Sequence, residues 1–310
     1  MTDILKRPWD LVENQNSDLN IQAGQVVELV VLAVKRTGIR CRLLNGCQPV
    51  TFRLVREEVE GEIITVEVIK IWRYKTTDYM TGSVLSSRID IPALKLTPLG
   101  IKDQGEWDPA GEDLFDNGDP FEKYYAPIIV RGPRKSYEME QVIPFQDPDD
   151  DWSDPIIEAA DCHDRGDYEK AHEIMEHILT TDLRCIDAHA HLGNWDSDGS
   201  TFRLERAKRH YQVGIKIAEL SFGNEFEGLL PWGHINNRPF LRCMHGYGLV
   251  LWKLGEIQEA KQVFDKMLWL NPSDNQGARF LLADIESGKS LNELEDDYKR
   301  MDEKKNNHVV

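Results

Sequence analysis

The sequence predicts a multidomain α+β fold, with a small antiparallel β-barrel or sandwich at the N-terminus and a stack of α-helical hairpins at the C-terminus. Three observations support this prediction. The chain has 310 residues, which is more than one compact core usually contains. Its N-terminal third holds runs rich in β-branched residues that partly alternate between apolar and polar. After Trp152 apolar residues follow helical spacing, and small residues recur at set positions.

The composition is that of a globular protein in water. Hydrophobic residues make up 41% of the chain and charged residues 29%. Residues 1–20 lack the apolar stretch of a secretory signal, and no apolar run reaches the roughly 18 residues of a membrane span. The five cysteines are irregularly spaced and form no CxxC pair. We therefore expect a cytoplasmic protein with reduced thiols and no membrane partner.

Charge is distributed unevenly along the chain. The formal net charge of −17 argues against binding of nucleic acid or anionic membranes by the whole surface, because their phosphates would be repelled. Residues Val30 to Asp90 nevertheless carry ten Lys and Arg against seven Asp and Glu. Residues Asp103 to Glu122 carry eight acids and no base. A mildly basic block is thus followed by an acidic connector.

Turn signals divide the N-terminal third into five short strands. The turn pairs are Thr37-Gly38, Asn45-Gly46 and Glu60-Gly61. A fourth turn at residues 79–82 would precede the fifth strand, at Gly82 to Ile89. Five strands at this spacing are typical of a small barrel or sandwich. We expect an N-terminal arm at residues 1–24 and a barrel-like domain at residues 25–100.

Residues 101–151 predict an ordered strap that packs along one or both domains. The segment is rich in Gly, Pro and Asp, yet it carries more aromatic rings than a free linker usually does. These rings include Trp107, Phe115, Phe121, Tyr124, Tyr125, Tyr137 and Phe145. The acidic run Asp147 to Asp151 marks the boundary to the helical half.

The segment Leu241 to Pro272 carries the clearest motif. Gly248 and Ala260 are small residues that let two helices approach closely, Phe264 fills the space beside them, and Pro272 stops the second helix. This spacing resembles a tetratricopeptide repeat, a two-helix unit of 34 residues. The resemblance implies a helical hairpin stack that acts as a protein-binding scaffold.

Two earlier units show the same signs. Gly166 to Ala171 resembles the turn and small-residue position of the repeat, and the middle unit carries Leu192, Gly193, Ala207 and Tyr211. Ala171 and Ala207 are 36 residues apart, whereas Ala207 and Ala260 are 53 apart, which indicates an insertion at residues 221–239. The repeats would occupy residues 152–288. Ser290 to Glu293 reads as a capping box that starts a charged C-terminal helix and tail at residues 289–310.

The resemblance places the first helix of each unit along a concave groove. Groove residues would be Asp187, His191, Asn194, Arg242, His245, Leu249 and Lys253. Asn194 and Arg242 match part of the family's peptide-carboxylate clamp, whereas Ala190 and His245 depart from it. We expect an unidentified protein or peptide as the partner. The segments LLPWG (residues 229–233) and NRPF (residues 237–240) also resemble bacterial tetratricopeptide-repeat proteins.

The insertion allows two interpretations. Trp232, His234, Asn237 and Arg238 could form a functional loop, because loops with rings and polar groups often bind ligands. The alternative is architectural, with Asn237 capping the next helix and Trp232 filling the domain. The Pro-Trp-Gly and Asn-Arg-Pro segments favour the architectural interpretation.

The sequence gives little support for metal binding or catalysis. Cys185 and His189 share a helix face, His191 lies close by, and Cys243 and His245 could approach from the next unit, which is a set of side chains that zinc accepts. No second paired motif exists, so buried cysteines and histidines are the favoured interpretation. We find no catalytic signature. The chain is therefore predicted to be non-catalytic and to hold no metal or cofactor.

The N-terminal domain supports an alternative function. Basic and aromatic residues interleave in its strands, as in proteins that contact single-stranded RNA or DNA. The candidate surface comprises Arg40, Arg42, Trp72, Arg73, Tyr74 and Lys75. The competing interpretation is a barrel with ordinary outward cations, balanced by the acidic strap.

Overall fold

The structure is a computed structural model. It describes residues 19–306 apart from residues 36–37, 54–57, 113, 115–117, 148, 150–152 and 224, and it leaves out the side chains of residues 298 and 301–306. Most of the predicted arm at residues 1–24 and part of the predicted boundary at residues 147–151 therefore lie outside the described residues. The chain divides between Leu94 and Lys95 into two compact units.

The first unit is a closed five-stranded barrel. Its strands are β1 (Val26–Lys35), β2 (Gly38–Leu43), β3 (Pro49–Phe52), β4 (Ile63–Tyr74) and β5 (Thr77–Arg88). They close in the order β1-β2-β3-β5-β4. The prediction of an N-terminal β-barrel is confirmed, with one difference: β3 and β5 run parallel, whereas the other neighbours run antiparallel. A ring of five strands cannot alternate in direction throughout, so one neighbouring pair must be parallel.

Alternation along the strands fills the barrel interior. Leu29, Ile39, Phe52 and Met80 are fully buried in one apolar cluster. The predicted turn at residues 79–82 was wrong, because β5 already begins at Thr77. Gly82 lies inside β5 at a close approach to β4, where the carbonyl oxygen of Glu67 leaves no room for a Cβ atom. A glycine that signals a turn in sequence here permits close backbone packing.

The second unit begins with the strap. Its elements are β6 (Ile101–Trp107), α1 (Glu122–Arg131) and β7 (Arg134–Met139), and β6 pairs antiparallel with β7. The strap packs on the helices of the same unit. The Tyr137 backbone N–H donates to the Leu229 carbonyl at 2.9 Å, and the Phe121 and Phe280 rings meet edge to face at 4.8 Å.

Helices form the rest of the second unit. They are α2 (Pro155–Asp164), α3 (Tyr168–Thr181), α4 (Ile186–Asp196), α5 (Thr201–Phe222), α6 (Arg238–Lys253), α7 (Ile257–Leu270), α8 (Ala278–Glu286) and α9 (Leu291–Asn306). Helix α2 packs with α3, α4 with α5, and α6 with α7, while α4 also packs beside α6. The Asp154 carboxylate caps α2, and Ser290 and Glu293 form the predicted capping box of α9, with Glu293 Oε2 accepting from the Ser290 N–H at 2.8 Å. Together these elements confirm the mixed α+β class.

Small residues allow the closest helix contacts. The Tyr211 ring lies between Gly193 of α4 and Gly246 of α6, and a Cβ atom added at Gly193 would meet that ring at 2.7 Å. Gly248 receives the Phe264 ring in the same way. Helices α4, α5 and α6 are thereby held together at one point, which fixes the separation of α4 and α6. Within the described part of the chain, no helix is long and apolar enough to cross a membrane.

Candidate functional site

Helices α4 and α6 lie side by side in matched register. Arg242 Nη1 lies 2.5 Å from Asp187 Oδ1, and Lys253 Nζ lies 3.1 Å from Asp198 Oδ1. The sequence offset is the same for both pairs, because 242 − 187 = 55 and 253 − 198 = 55. An equal offset means that the two helices run in the same direction, with one ion pair near the start of the shared face and the other at the turn that follows α4.

Two cavities open on this shared face. The first, which we call the α9-side cavity, has a volume of about 550 Å³ and lies among α4, α6, α8 and α9. The second, the strap-side cavity, has a volume of about 500 Å³ and is bordered by the strap, α2 and the insertion. Both are lined by His191 and Arg242, so the two cavities meet there. We call them together the groove.

The structure brings all seven predicted groove residues to this place. Asp187 lines the strap-side cavity, His191 and Arg242 line both cavities, and Asn194, His245, Leu249 and Lys253 line the α9-side cavity. Ala190, which departs from the carboxylate clamp, also lines the α9-side cavity. The helical spacing of these residues on α4 and α6 is what puts them on one face.

The strip between the two ion pairs is uncharged at neutral pH. Burial lowers the pKa of His191, although the nearby Asp187 carboxylate opposes that shift. Burial also lowers the pKa of His245. A neutral imidazole can donate one hydrogen bond and accept another, and the Asn194 amide can do both. The floor between the two ion pairs therefore offers paired donors and acceptors beside the apolar side chain of Leu249.

Sequence reasoning missed one wall of the α9-side cavity. Leu291, Leu294 and Glu295 of α9 line it, and Lys253 Nζ lies 3.0 Å from Glu295 Oε1. These residues had been assigned only to a terminal charged helix. Two leucines three positions apart in a helix otherwise rich in charge are the signal that could have placed them.

The strap-side cavity has apolar side chains at its edges. Ile143 of the strap, Ile157 of α2 and Ile235 of the insertion line it. Ile157 is 57% exposed and Ile235 is 64% exposed, so both present apolar surface to solvent beside the groove. The strap thus contributes to the groove as well as to packing.

The insertion is fixed mainly through Asn237. This residue is fully buried; its Nδ2 donates to the Tyr137 carbonyl at 2.9 Å and to the Pro231 carbonyl at 3.1 Å. Its Oδ1 accepts from the Met139 N–H at 2.8 Å. Asn237 stands at the position before α6, but its side chain links the strap to the insertion and makes no capping hydrogen bond. These contacts support the architectural interpretation.

The other insertion residues are partly exposed. The Arg238 guanidinium lies 5.2 Å from the centre of the Trp232 ring, and its Nε donates to the Trp232 carbonyl at 3.1 Å. Trp232 and His234 are only half-buried, so Trp232 does not fill a core as the architectural interpretation expected. Its backbone N–H instead donates to the Asn271 side chain at 3.0 Å.

The candidate zinc ligands lie mainly in the helix core. Cys185 and Cys243 are fully buried, and burial raises the pKa of Cys185 to about 12. Cys243 Sγ lies 3.8 Å from the Ile186 carbonyl oxygen, and His189 Nε2 lies 3.3 Å from the Leu183 carbonyl oxygen. Among the residues that the structure describes, no group of three or more His, Cys, Asp or Glu could hold a metal ion.

On the barrel, the candidate nucleic-acid residues divide into two sets. Arg42 is engaged by backbone carbonyls, since Nη1 donates to those of Leu43 and Leu44 at 3.1 Å. Trp72 is 8% exposed and stacks on Tyr79, with ring centres 5.6 Å apart. The remaining candidates keep more accessible surface. Arg40 and Arg73 are half-buried, whereas Tyr74 and Lys75 are exposed.

Comparison with known proteins finds no relative of this chain. The chain matches no protein-family model, no curated protein and no solved structure. The groove and the barrel surface are therefore the features of the molecule that bear on its function.

Proposed function

We propose that the helical part of the second unit is a tetratricopeptide-like stack and that it works as a non-catalytic scaffold. The pairing of α2 with α3, α4 with α5 and α6 with α7 supports the repeat interpretation, as do the buried small residues Ala171, Ala207 and Ala260. In this proposal α2, α4 and α6 are the first helices of three units, and their shared face is the binding surface.

The observation that carries the proposal is the uncharged floor between two ion pairs that link α6 to α4 and to the turn after it. Asp187–Arg242 and Asp198–Lys253 bracket a strip that holds His191, Asn194 and His245. Side-chain amides and neutral imidazoles can both donate and accept hydrogen bonds, so they suit polar side chains of a bound peptide. Leucine side chains in the same cavity suit an apolar residue of that peptide. We therefore propose a protein partner that inserts a short segment into the groove.

A cytoplasmic location belongs to this proposal. All five cysteines are free thiols, and four of them are buried, which suits a reducing compartment.

The test is affinity capture from the native cell with a groove variant and a matched control. Arg242→Ala with His191→Ala removes two groove side chains where the cavities meet. The control, Lys266→Ala with Glu219→Ala, removes a cross-helix ion pair of 2.9 Å between α5 and α7, outside the groove. We expect partners kept by the wild type and the control to be lost by the groove variant. Equal retention by all three chains would show that the groove is not the binding surface.

A second candidate function is contact between the barrel and single-stranded nucleic acid. Ile71 and Met80 face the barrel interior, whereas Trp72, which is 8% exposed, and Tyr79, which is half-buried, point outward. The Lys70 ammonium lies 5.3 Å from the Trp72 ring centre, and the Arg53 guanidinium lies 5.2 Å from that of Tyr79. Paired rings with nearby cations favour bases and phosphates.

A gel shift of single-stranded RNA and DNA by the full chain tests this second candidate. Binding should weaken steeply as salt rises and should fall further in Tyr74→Ala with Lys75→Ala. No shift at low salt would exclude it.

A further inference from the structure

The first turns of α9 lie against the groove face of α6. Trp252 Nε1 donates to the Lys289 carbonyl at 3.2 Å, which fixes the entry into α9. Leu291 and Leu294 are 6% and 5% exposed and line the α9-side cavity. Glu295 then pairs with Lys253, whose side chain is only 15% exposed. The chain thus places an apolar-and-acidic segment against its own proposed binding surface.

A helix that only caps an apolar end would fill the space beneath it. Helix α9 instead leaves a cavity of about 550 Å³ between itself, α4 and α6. His191, Asn194 and His245 also line that cavity, so α9 closes over polar groups that an apolar cap would not require. The space suits a segment that reaches deeper than α9 does.

The charge of α9 indicates which chemistry this surface accepts. Residues 291–297 contain four acids, Glu293, Glu295, Asp296 and Asp297, and no base. Lys253 lies between two carboxylates, those of Asp198 and Glu295, and only Glu295 comes from α9. A partner that replaces α9 must therefore supply a carboxylate to Lys253, because otherwise a largely buried ammonium loses a partner.

Resting on the proposed function, we propose that the partner segment is an acidic helix with two leucines three positions apart and a carboxylate directly after the second leucine, and that α9 is its internal competitor. Leu291, Leu294 and Glu295 are the template for that pattern. A tethered competitor acts at an effective concentration of the order of millimolar, so it weakens binding of a free segment without blocking it. The partner segment then binds only when α9 leaves the cavity, so the two segments exchange for each other.

The test uses the full chain and a fluorescein-labelled peptide with the sequence of residues 288–300. In the release variant, Leu291→Ser with Leu294→Ser, α9 loses its apolar contacts while α4 and α6 are unchanged. Fluorescence anisotropy should show at least about tenfold tighter peptide binding to the release variant than to the wild type. The same peptide with both leucines replaced by serine should not bind. Adding Lys253→Glu to the release variant should abolish the gain.

A second variant covers the case in which α9 is needed for folding. Glu295 is 41% exposed, so Glu295→Lys breaks the contact with Lys253 without opening the core. We expect about threefold tighter peptide binding, in line with the loss of one partly exposed ion pair. If the release variant melts the helical unit and Glu295→Lys gains nothing, α9 is a terminal cap and the inference is overturned.

Equal peptide affinity for the wild type, the release variant and Glu295→Lys would also overturn it. That result is separate from the proposed function, which stands or falls on native partners lost by Arg242→Ala with His191→Ala. A scaffold that loses those partners but gains no peptide affinity on release of α9 uses the groove for a different segment.

Discussion

Helix α4 has two histidines two positions apart, and their surroundings are opposite. His189 faces α5, is fully buried, and its Nδ1 has no hydrogen-bond partner among the residues that the structure describes. His191 faces the groove and lines both cavities. On the α5 side the Tyr211 ring fills the space against Gly193 and reaches the edge of the α9-side cavity, whereas on the groove side the two cavities leave space open. One face of the helix is used for packing and the other is available for binding.

The difference shows how a short stack can keep a binding surface. The packed face fixes the distance between α4 and α6, so the groove face needs no further packing to hold its shape. Polar residues on that face can then remain available to a ligand. If this division is right, substitutions on the packed face should change stability, and those on the groove face should mainly change binding.

The largest loss of stability should follow Gly246→Ala. A Cβ atom there would overlap the Tyr211 ring. Alanine favours a helix by about 1 kcal/mol over glycine, but overpacking of a tight core costs more, and we expect a net loss of about 3 kcal/mol. Urea unfolding followed by circular dichroism measures it. Tyr211→Leu should partly rescue Gly246→Ala; a stabilised single variant would show that the contact is loose.

The next largest effect should be a loss of stability in acid caused by His189. Burial lowers its pKa to about 4, whereas an unfolded histidine has a pKa of about 6.5. Below pH 6.5 His189 binds a proton in the unfolded chain before it does so in the folded chain. The stability that neutral His189 contributes is therefore complete above pH 6.5 and is lost as pH falls to about 4. We expect the free energy of unfolding to fall by about 2 kcal/mol from this cause by pH 5.

Burial also lowers the pKa of His210, whose ring centre lies 5.9 Å from that of His189. His210 therefore adds to the loss of stability in acid. The measurement is urea unfolding of the wild type and His189→Gln at pH 8, 7 and 5. The variant should lose less stability between pH 7 and pH 5, and both chains should be insensitive to pH between 8 and 7. Equal slopes in the two chains would show that His189 can be protonated in place.

A smaller effect should separate the two ion pairs. The Asp187–Arg242 pair has a carboxylate that is 9% exposed, whereas Asp198 in the second pair is 88% exposed. Double-mutant cycles with alanine should give a coupling of about 1 kcal/mol for the first pair and below about 0.5 kcal/mol for the second. Reversed magnitudes would show that exposure does not govern these pairs.

The smallest effect on stability should be that of Asn194→Ala. Its side chain is exposed and lines the α9-side cavity, so removing it should change unfolding by no more than about 0.5 kcal/mol. The same change should weaken capture of groove partners. A large loss of stability would place Asn194 on the packed face and contradict the division of α4.

Local patterns were enough to predict five barrel strands, although the start of β5 was misplaced, and the resemblance to tetratricopeptide repeats supplied the predicted groove residues of α4 and α6. Helical spacing places Asp187, His191 and Asn194 on one face, whatever packs against it. The partners of Asn237 could not be predicted, because Tyr137 is 100 residues away and Met139 is 98 residues away. The position of α9 beside α6 was also missed, because its two leucines indicate a buried face but do not indicate which helix covers it.

The equal offset of the two ion pairs limits where the chain can change length. An extra residue between Arg242 and Lys253 would turn the rest of α6 by about 100°, so Lys253 would leave Asp198 while Arg242 stayed with Asp187. An extra residue between Gly223 and Gly228 lies outside the helices and leaves the spacing within each of them intact. Insertion scanning should therefore find tolerance in that loop and none within α6, so homologous chains can be aligned on this fixed spacing even where the loop differs in length.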